Sequence, residues 1–140
     1  DNGSTAVEVA LKMAYQFWLN TGQEERRIFV ALENAYHGDT FGAMAASGDS
    51  PFSAPFKEML FKVLRAPDAA ALERIFRENK GAIAALIIEP MLQGAGGMIV
   101  WEAEFLKRAR ELCNHYNVLL IADEVLTGFG RTGKMLDCQH

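Results

Sequence analysis

Two adjacent carboxylates, Asp123 and Glu124, end an apolar run and stand directly before a loop that is rich in glycine. The loop carries Arg131 among three glycines, which are Gly128, Gly130 and Gly133. Glycines let a loop pass close to a ligand, and the planar fork of an arginine suits a carboxylate. The segment 121–134 is therefore a candidate ligand site, and its chemistry depends on which other residues meet it.

The elements that must position this site follow an alternation of strand and helix patterns. Three short apolar runs have the continuous hydrophobicity that is typical of strands covered on both faces; they span residues 28–32, 82–88 and 118–122. Helical spacing of apolar residues predicts helices over residues 5–19, 69–78 and 102–116. We therefore predict an α/β domain with a mostly parallel sheet and flanking helices. The proline-containing stretch 48–67 is predicted to be a surface loop with short helical pieces.

The residues that follow each predicted strand are informative, because open parallel sheets bind ligands beyond the carboxyl ends of their strands. The first strand is followed by Tyr36, His37 and Asp39, the second by Glu89 and a glycine-rich turn, and the third by Asp123. Aromatic, acidic and glycine-rich segments thus converge on one edge of the sheet. This convergence predicts a site for a flat, phosphorylated ligand, provided that glycines and helix starts hold the phosphate.

The segment Asn2-Gly3-Ser4-Thr5 opens the first predicted helix. Backbone N–H groups at a helix start form an anion site, and the hydroxyls of Ser4 and Thr5 would add donors. Ser4 is equally well placed to cap the helix. A phosphate site and an ordinary helix cap both remain open for this segment.

Two other phosphate-binding motifs fit the sequence less well. Gly128–Lys134 has the spacing of a Walker A loop, but Met135 follows where magnesium binding requires a serine or threonine hydroxyl. A dinucleotide fingerprint that starts at residues 94–96 has Ile99 in place of its third glycine. Neither nucleotide-binding motif is therefore favoured.

The composition restricts the class of partner. The 140 residues include 18 acidic and 14 basic ones without a clustered basic stripe, so we expect neither a nucleic-acid nor a membrane partner. The two cysteines are too few for a disulfide framework, which favours a reducing cytoplasm. Each cysteine precedes a histidine by two positions, but Cys113 and His115 fall in a predicted helix and point away from each other. We therefore expect no metal site.

Four segments, taken together and in this order, resemble the class III aminotransferases, fold-type I enzymes that use pyridoxal 5′-phosphate (PLP). The segments are Asp1–Glu8, Tyr36–Thr40, Glu89–Pro90 and Asp123–Gly133. The resemblance covers essentially the whole chain. It implies that residues 1–140 are the central part of the PLP-binding large domain of a longer polypeptide. It also implies a homodimer, and a lysine past His140 that binds the cofactor.

The resemblance implies a role for each candidate residue. Asp123 would lie under the pyridine nitrogen of PLP and keep it protonated, so that the ring can accept electrons. Val125 would pack against one face of the ring, and Tyr36 would stack near the other. The phosphate would be held by the residues at the helix start, Gly3, Ser4 and Thr5. Arg131 would bind a substrate carboxylate.

Three further residues are left outside the catalytic set. We expect His37 to bond to the backbone within its turn and Glu124 to orient the loop that follows it. For Glu89, a structural hydrogen-bonding role and a catalytic role both remain open.

Two segments, 36–44 and 89–98, are most similar to one branch of the family, which transfers an amino group from S-adenosylmethionine to 8-amino-7-oxononanoate in biotin biosynthesis. Leu126 supports this branch, because ornithine and related aminotransferases have a glutamine there that bonds the phenolic oxygen of PLP. The resemblance thus implies a small-molecule amino donor and a keto acceptor. Two alternatives remain: an ω-aminotransferase acting on amines or 4-aminobutyrate, and a non-catalytic module that has kept the scaffold.

Overall fold

Four parallel strands form the main sheet, and their order determines which loops meet at its edge. The computed structural model describes residues 2–140. The strands of this sheet are β1 (Ile28–Leu32), β2 (Val63–Ala66), β3 (Ile83–Ile88) and β6 (Leu119–Ala122). They lie in the order β2-β1-β3-β6, and every neighbouring pair is parallel. A separate antiparallel ribbon follows β3 and consists of β4 (Leu92–Gln93) and β5 (Ile99–Val100).

Helices cover both faces of the main sheet. They are α1 (Gly3–Asn20), α2 (Phe41–Ala46), α3 (Ala69–Glu78) and α4 (Ala103–Tyr116), with 3-10 turns at Ala54–Met59 and Asp137–Gln139. One apolar core joins α1 and α2 to the sheet, and a second core joins α3 and α4 to its opposite face. The site at the edge of the sheet is therefore supported by three packed layers.

The strands supply both cores because successive side chains of a strand point to opposite faces. The core beneath α3 and α4 receives Val30, Leu32, Leu86 and Ile88, whereas the core beneath α1 receives Phe29, Ala31, Ala85 and Ile87. All six residues of β3 are buried. This two-sided burial explains why the strands have nearly continuous apolar sequences.

The first helix is fixed at both ends. The side chain of Asn2 caps it by accepting a hydrogen bond from the Thr5 N–H at 2.9 Å, so Asn2 is the cap and not Ser4, which the sequence had left open for that role. Near the other end, the indole N–H of Trp18 donates to the carbonyl of Ala84 in β3 at 2.8 Å. The buried stripe between these anchors has helical spacing and consists of Val7, Leu11, Ala14 and Trp18. The start of α1 is thereby held at a defined position beside the sheet.

The predicted fold class is confirmed, but one strand lies where an irregular loop was predicted. The segment 48–67 includes β2, an edge strand that pairs with β1. This strand is only four residues long and includes Arg65, so it lacks the apolar run by which the other strands were found. The Arg65 guanidinium donates to the last carbonyls of α2, those of Ala45, Ala46 and Ser47. Burial lowers the pKa of this guanidinium.

The cysteines occupy different environments. Cys113 is buried in α4, and this burial raises the pKa of its thiol to about 12, whereas Cys138 is exposed. Within residues 2–140, no group of three side chains that could bind a metal ion is found. In the same range, no helix is both long enough and apolar enough to span a bilayer.

Candidate active site

A cavity of about 570 Å³ lies beyond the carboxyl ends of β1, β3 and β6. It is lined by residues 2–4 at the start of α1, residues 36–40 after β1, Glu89 and Ala95 after β3, and Asp123, Val125 and Leu126 after β6. Parallel strands end at the same edge, so these segments meet although they are far apart in the sequence. The structure thus brings together most of the residues that the sequence singled out.

Asp123 lines this cavity, and each of its carboxylate oxygens has one hydrogen-bond partner in the protein. Its Oδ2 is 2.7 Å from Nδ1 of His37, and its Oδ1 accepts the N–H of Val125 at 3.1 Å. The backbone N–H of Asp123 continues the ladder of β6 to the carbonyl of Ile88 at 2.8 Å. The carboxylate is therefore fixed in direction, while each oxygen retains a lone pair for a further donor.

His37 has a role that the sequence did not reveal. We expected its side chain to bond to the backbone within its turn, but its ring contacts the carboxylate of Asp123, and its backbone N–H donates to Oγ of Ser47, at the end of α2, at 2.8 Å. The ring is buried, and its Nε2 has no partner among the described residues. The one available sequence signal was the position of His37, directly after Tyr36 at a strand exit.

Glu89 joins two loops of the cavity. Its Oε1 accepts the N–H of Tyr36 at 3.1 Å, and its Oε2 accepts the N–H of Gly94 at 2.9 Å. The side chain is buried. Of the two roles left open for Glu89, the structure displays the hydrogen-bonding one.

Tyr36 lines the cavity and is 44% exposed. Its hydroxyl donates to Oδ2 of Asp39 at 3.0 Å. This hydrogen bond, together with partial burial, raises the pKa of the Tyr36 phenol. A neutral phenol and an exposed aromatic face are therefore available to a ligand.

The start of α1 presents hydrogen-bond donors to the cavity. The first N–H groups of a helix have no partner within the helix, and those of Gly3 and Ser4 are free among the described residues. Ser4 Oγ accepts the N–H of Asp39 at 3.1 Å, which leaves its hydroxyl proton available to a ligand. The helix start and the loop after β1 thus form a continuous wall.

Gly38 permits this close contact between the loop and α1. A Cβ at this position would lie 2.1 Å from Oγ of Ser4 and 2.8 Å from its Cα, and φ of Gly38 is +125°. Side chains of L-residues rarely adopt this φ, so a glycine is required for two reasons. The contact between the loop after β1 and the start of α1 therefore depends on Gly38.

Two predicted site residues do not line the cavity. Thr5 directs its hydroxyl to the side chain of Asn2 at 2.9 Å, and Nε of Arg131 donates to the carbonyl of Leu126 at 2.6 Å. Val125 does line the cavity, where its methyl groups lie 3.0 and 3.1 Å from the position of a Cβ on Gly3. The side chain of Val125 thus links the exit of β6 to the start of α1.

Glu124 fixes the chain that follows Asp123. Its two oxygens accept the N–H groups of Asp137 and Cys138 at 2.7 and 2.9 Å and the hydroxyl of Thr127 at 3.1 Å. Burial acts to raise the pKa of this carboxyl, but the hydrogen bonds to the charged form outweigh it, and the pKa lies below its ordinary value. The expectation that Glu124 orients the loop agrees with these contacts.

Comparison with known proteins decides the family. The sequence model described as "Aminotransferase class-III" matches residues 1–140. The chain belongs to the class III aminotransferases. Two curated relatives are named adenosylmethionine-8-amino-7-oxononanoate aminotransferase. The one from Geobacter sulfurreducens is 47% identical over 99% of the chain, and the one from Synechococcus elongatus is 48% identical over 100%.

Solved structures of two aminotransferases have the same fold. The adenosylmethionine-8-amino-7-oxononanoate aminotransferase from Methanocaldococcus jannaschii superposes with a TM-score of 0.94, at 35% identity over 100% of the chain and 33% of that protein. An amine transaminase from an uncultivated Pseudomonas species, solved in its PLP-bound form, gives a TM-score of 0.86 at 39% identity over 97% of the chain and 35% of that protein. The chain spans 35% and 36% of the two curated relatives.

Proposed function

We propose that the chain is the central part of the PLP-binding large domain of a longer polypeptide. That polypeptide transfers an amino group from S-adenosylmethionine to 8-amino-7-oxononanoate and yields 7,8-diaminononanoate. The observation that carries the proposal is the name shared by relatives that are 47% and 48% identical to nearly all of the chain. Amino donor and keto acceptor are the small-molecule partners of this reaction.

The donors and acceptors around the cavity fit PLP. The cofactor requires an acceptor for the proton on its ring nitrogen, donors for its phosphate and apolar or aromatic contacts for its ring. Asp123, the N–H groups of Gly3 and Ser4, and the side chains of Val125 and Tyr36 offer these on one cavity. When bound, PLP supplies an electron sink for the substrate carbon.

Asp123 is the catalytic residue of this proposal within the chain. Its carboxylate would hold a proton at the ring nitrogen, and His37 would keep the carboxylate in the required direction through the 2.7 Å contact. A buried, oriented carboxylate interacts with a positive ring nitrogen more strongly than an exposed one. Val125 and Tyr36 would hold the ring from its two faces.

The phosphate would be bound at the start of α1. The N–H groups of Gly3 and Ser4 and the hydroxyl proton of Ser4 would donate to it, and the positive end of the helix dipole would favour its charge. Thr5 can contribute only if its hydroxyl leaves Asn2, which accepts it at 2.9 Å. We therefore assign Thr5 a smaller share of phosphate binding than Ser4.

Arg131 would bind the carboxylate of the keto substrate. Its Nε donates to the carbonyl of Leu126, and the two terminal nitrogens form no hydrogen bond within residues 2–140. These two nitrogens can donate to both oxygens of a carboxylate. The contact with Leu126 would then orient the guanidinium before the substrate arrives.

The experiment that tests this function uses the full-length polypeptide. Its absorbance is recorded with PLP, before and after S-adenosylmethionine is added, and the product formed with 8-amino-7-oxononanoate is identified by mass spectrometry. We expect a visible band that disappears with this donor and the appearance of 7,8-diaminononanoate. If no band forms with PLP, the polypeptide is a scaffold without this chemistry, and the proposal fails.

A second candidate is an amine transaminase. The observation that favours it is the identity of 39% to the Pseudomonas amine transaminase, above the 35% to the M. jannaschii enzyme. The same spectrum separates the two functions, because an amine transaminase would lose its band with simple amines and keep it with S-adenosylmethionine. Titration with both donors therefore decides between them.

The location and the assembly of the protein belong to the same proposal. Two free cysteines, one of them buried, fit a reducing cytoplasm, and membership of the family supports a homodimer. Light scattering of the purified full-length polypeptide gives its mass in solution. A mass equal to that of one chain would contradict the homodimer.

A further inference from the structure

Glu89 occupies a position that the proposed chemistry does not use. It is 6% exposed, lines the cavity and spends both carboxylate oxygens on backbone N–H groups of two different loops. We infer that Glu89 is a positioning residue, which fixes Tyr36 and the turn at Gly94 around the cofactor ring. This inference rests on the proposed PLP function.

One oxygen of Glu89 sets the position of Tyr36. The Tyr36 N–H has Oε1 of Glu89 as its acceptor at 3.1 Å, and the hydroxyl at the far end of the side chain is held by Asp39 at 3.0 Å. The residue between these two anchors is half-buried and lines the cavity. Loss of the backbone anchor would therefore let the ring shift relative to a bound cofactor.

The other carboxylate oxygen of Glu89, Oε2, fixes the turn that follows β3. It holds the N–H of Gly94 at 2.9 Å, and a Cβ on Gly94 would lie only 2.0 Å from Cδ2 of Leu126. Leu126 thus fills the space that a side chain at Gly94 would need, and it lines the cavity. Glu89 thereby ties the exits of β1 and β3 together through one carboxylate, and Gly94 in turn lies against Leu126 after β6.

The two hydrogen bonds require a carboxylate of this length. Glutamine has the same shape but only one acceptor oxygen, and its amide group would place a donor against one of the two N–H groups. The variant Glu89→Gln therefore removes one contact and preserves the packing. Asp68 offers a control at a distance, because its side chain caps α3 through the N–H of Ala71 and does not line the cavity.

The first measurement is the dissociation constant of PLP in the full-length polypeptide. Because an unpaired buried N–H is costly, we expect Glu89→Gln to weaken PLP binding about tenfold. The same measurement is made in the double variant Tyr36→Ala and Leu126→Ala, which lacks the two side chains that Glu89 is inferred to position. In this background we expect Glu89→Gln to weaken PLP binding less than about threefold. Equal effects in the two backgrounds would overturn the inference, because Glu89 would then not act through these residues.

A cofactor-free measurement separates this inference from the proposed function. With 3-fluorotyrosine at position 36, we expect the fluorine resonance to shift or broaden in Glu89→Gln and to stay unchanged in Asp68→Ala, which lowers stability alone. If the wild-type polypeptide binds no PLP, the proposed function fails while the resonance still tests Glu89. An unchanged resonance in Glu89→Gln shows that Glu89 does not position Tyr36.

Discussion

Two parts of the site differ in how their side chains are held. The floor of the cavity, which we define as His37, Glu89 and Asp123, is 3%, 6% and 8% exposed. The glycine loop, residues 128–134, lies at the surface, and Phe129 within it is 86% exposed. Both parts follow strands of the same sheet, so the sheet alone does not account for the difference.

The floor is held by contacts between distant segments, whereas the glycine loop is held by local ones. His37 and Asp123 are 86 positions apart, but Arg131 reaches back only five positions to Leu126. Within the loop, Phe129 has φ of +60°, and Gly130 and Gly133 also have positive φ. Because the conformation of the glycine loop depends on its own backbone and on local contacts, it can change while the core stays packed.

This difference matches two requirements of the proposed chemistry. A cofactor ring must keep one orientation through each turnover, which a floor fixed by buried tertiary contacts provides. A substrate must enter and leave, which suits a loop that depends on local contacts. If these contacts determine the behaviour of the two parts, the floor keeps one conformation and the glycine loop opens independently of it.

The largest expected effect comes from the carboxylate of the floor. Asp123→Asn keeps the shape of the side chain but removes the charge that would hold a proton on the ring nitrogen of PLP. We expect kcat of the full-length polypeptide to fall about 10²- to 10⁴-fold. Circular dichroism checks that the fold is intact. A variant that retains more than a tenth of the activity would exclude a catalytic role for Asp123.

The second effect concerns the contact between the floor loop and α1. Gly38→Ala places a methyl group 2.1 Å from Oγ of Ser4. We expect a loss of about 2–4 kcal/mol in the free energy of unfolding and much weaker PLP binding. Urea unfolding and a PLP titration measure the two quantities.

Gly97→Ala is the matched control for this prediction. Its φ of +116° is similar to that of Gly38, but within residues 2–140 no heavy atom beyond its two chain neighbours lies within 4 Å of the added Cβ. The control therefore carries the backbone strain alone, which we expect to be about 1 kcal/mol. Equal losses in the two variants would show that strain, and not the collision with Ser4, explains the effect.

The third effect tests the contact that the sequence did not reveal. His37→Gln removes the ring nitrogen that bonds Oδ2 of Asp123, so the carboxylate can turn. We expect kcat to fall about tenfold because a hydrogen bond to a charged group is lost, with a smaller change in the dissociation constant of PLP. If both constants change equally, His37 supports the whole cavity and not Asp123 in particular.

The residues of the floor, together with Tyr36, illustrate how much of the site could be predicted from the sequence. Asp123, Glu89 and Tyr36 each follow a recognisable strand, and parallel strands end at one edge, so their proximity could be predicted. The partner of His37 could not, because no pattern in the local sequence joins residues that are 86 positions apart. Only the packed sheet defines that distance.

The same distinction applies to the fold. The strands β1, β3 and β6 have apolar runs, so they were predicted nearly to the residue, although only β1 and β3 are largely buried and β6 lies partly buried at the other edge of the sheet. The edge strand β2 depends on pairing with β1 and was missed. Ser4 was considered as the cap of α1 and Asn2 was not, because both are suitable caps and only the backbone geometry distinguishes them.

The smallest expected effect concerns the glycine loop. Glu124 anchors both ends of this region through the N–H groups of Asp137 and Cys138 and the hydroxyl of Thr127. Glu124→Gln weakens the anchor, and we expect trypsin to cleave after Arg131 and Lys134 about fivefold faster, since about 1 kcal/mol of local stability is lost.

Acidification should act in the same direction as this substitution. The pKa of Glu124 is lowered in the folded chain, so its contribution is complete above the ordinary carboxyl pKa and is lost as the pH falls through the lowered value. Asp49→Asn is the control, because Asp49 forms an exposed ion pair with Lys57 at 3.6 Å, away from the glycine loop. Faster cleavage in Glu124→Gln, at an unchanged dissociation constant of PLP, would show that the loop opens independently of the floor. If PLP binding weakens as well, the two parts are coupled, and the contrast between them is smaller than their contacts indicate.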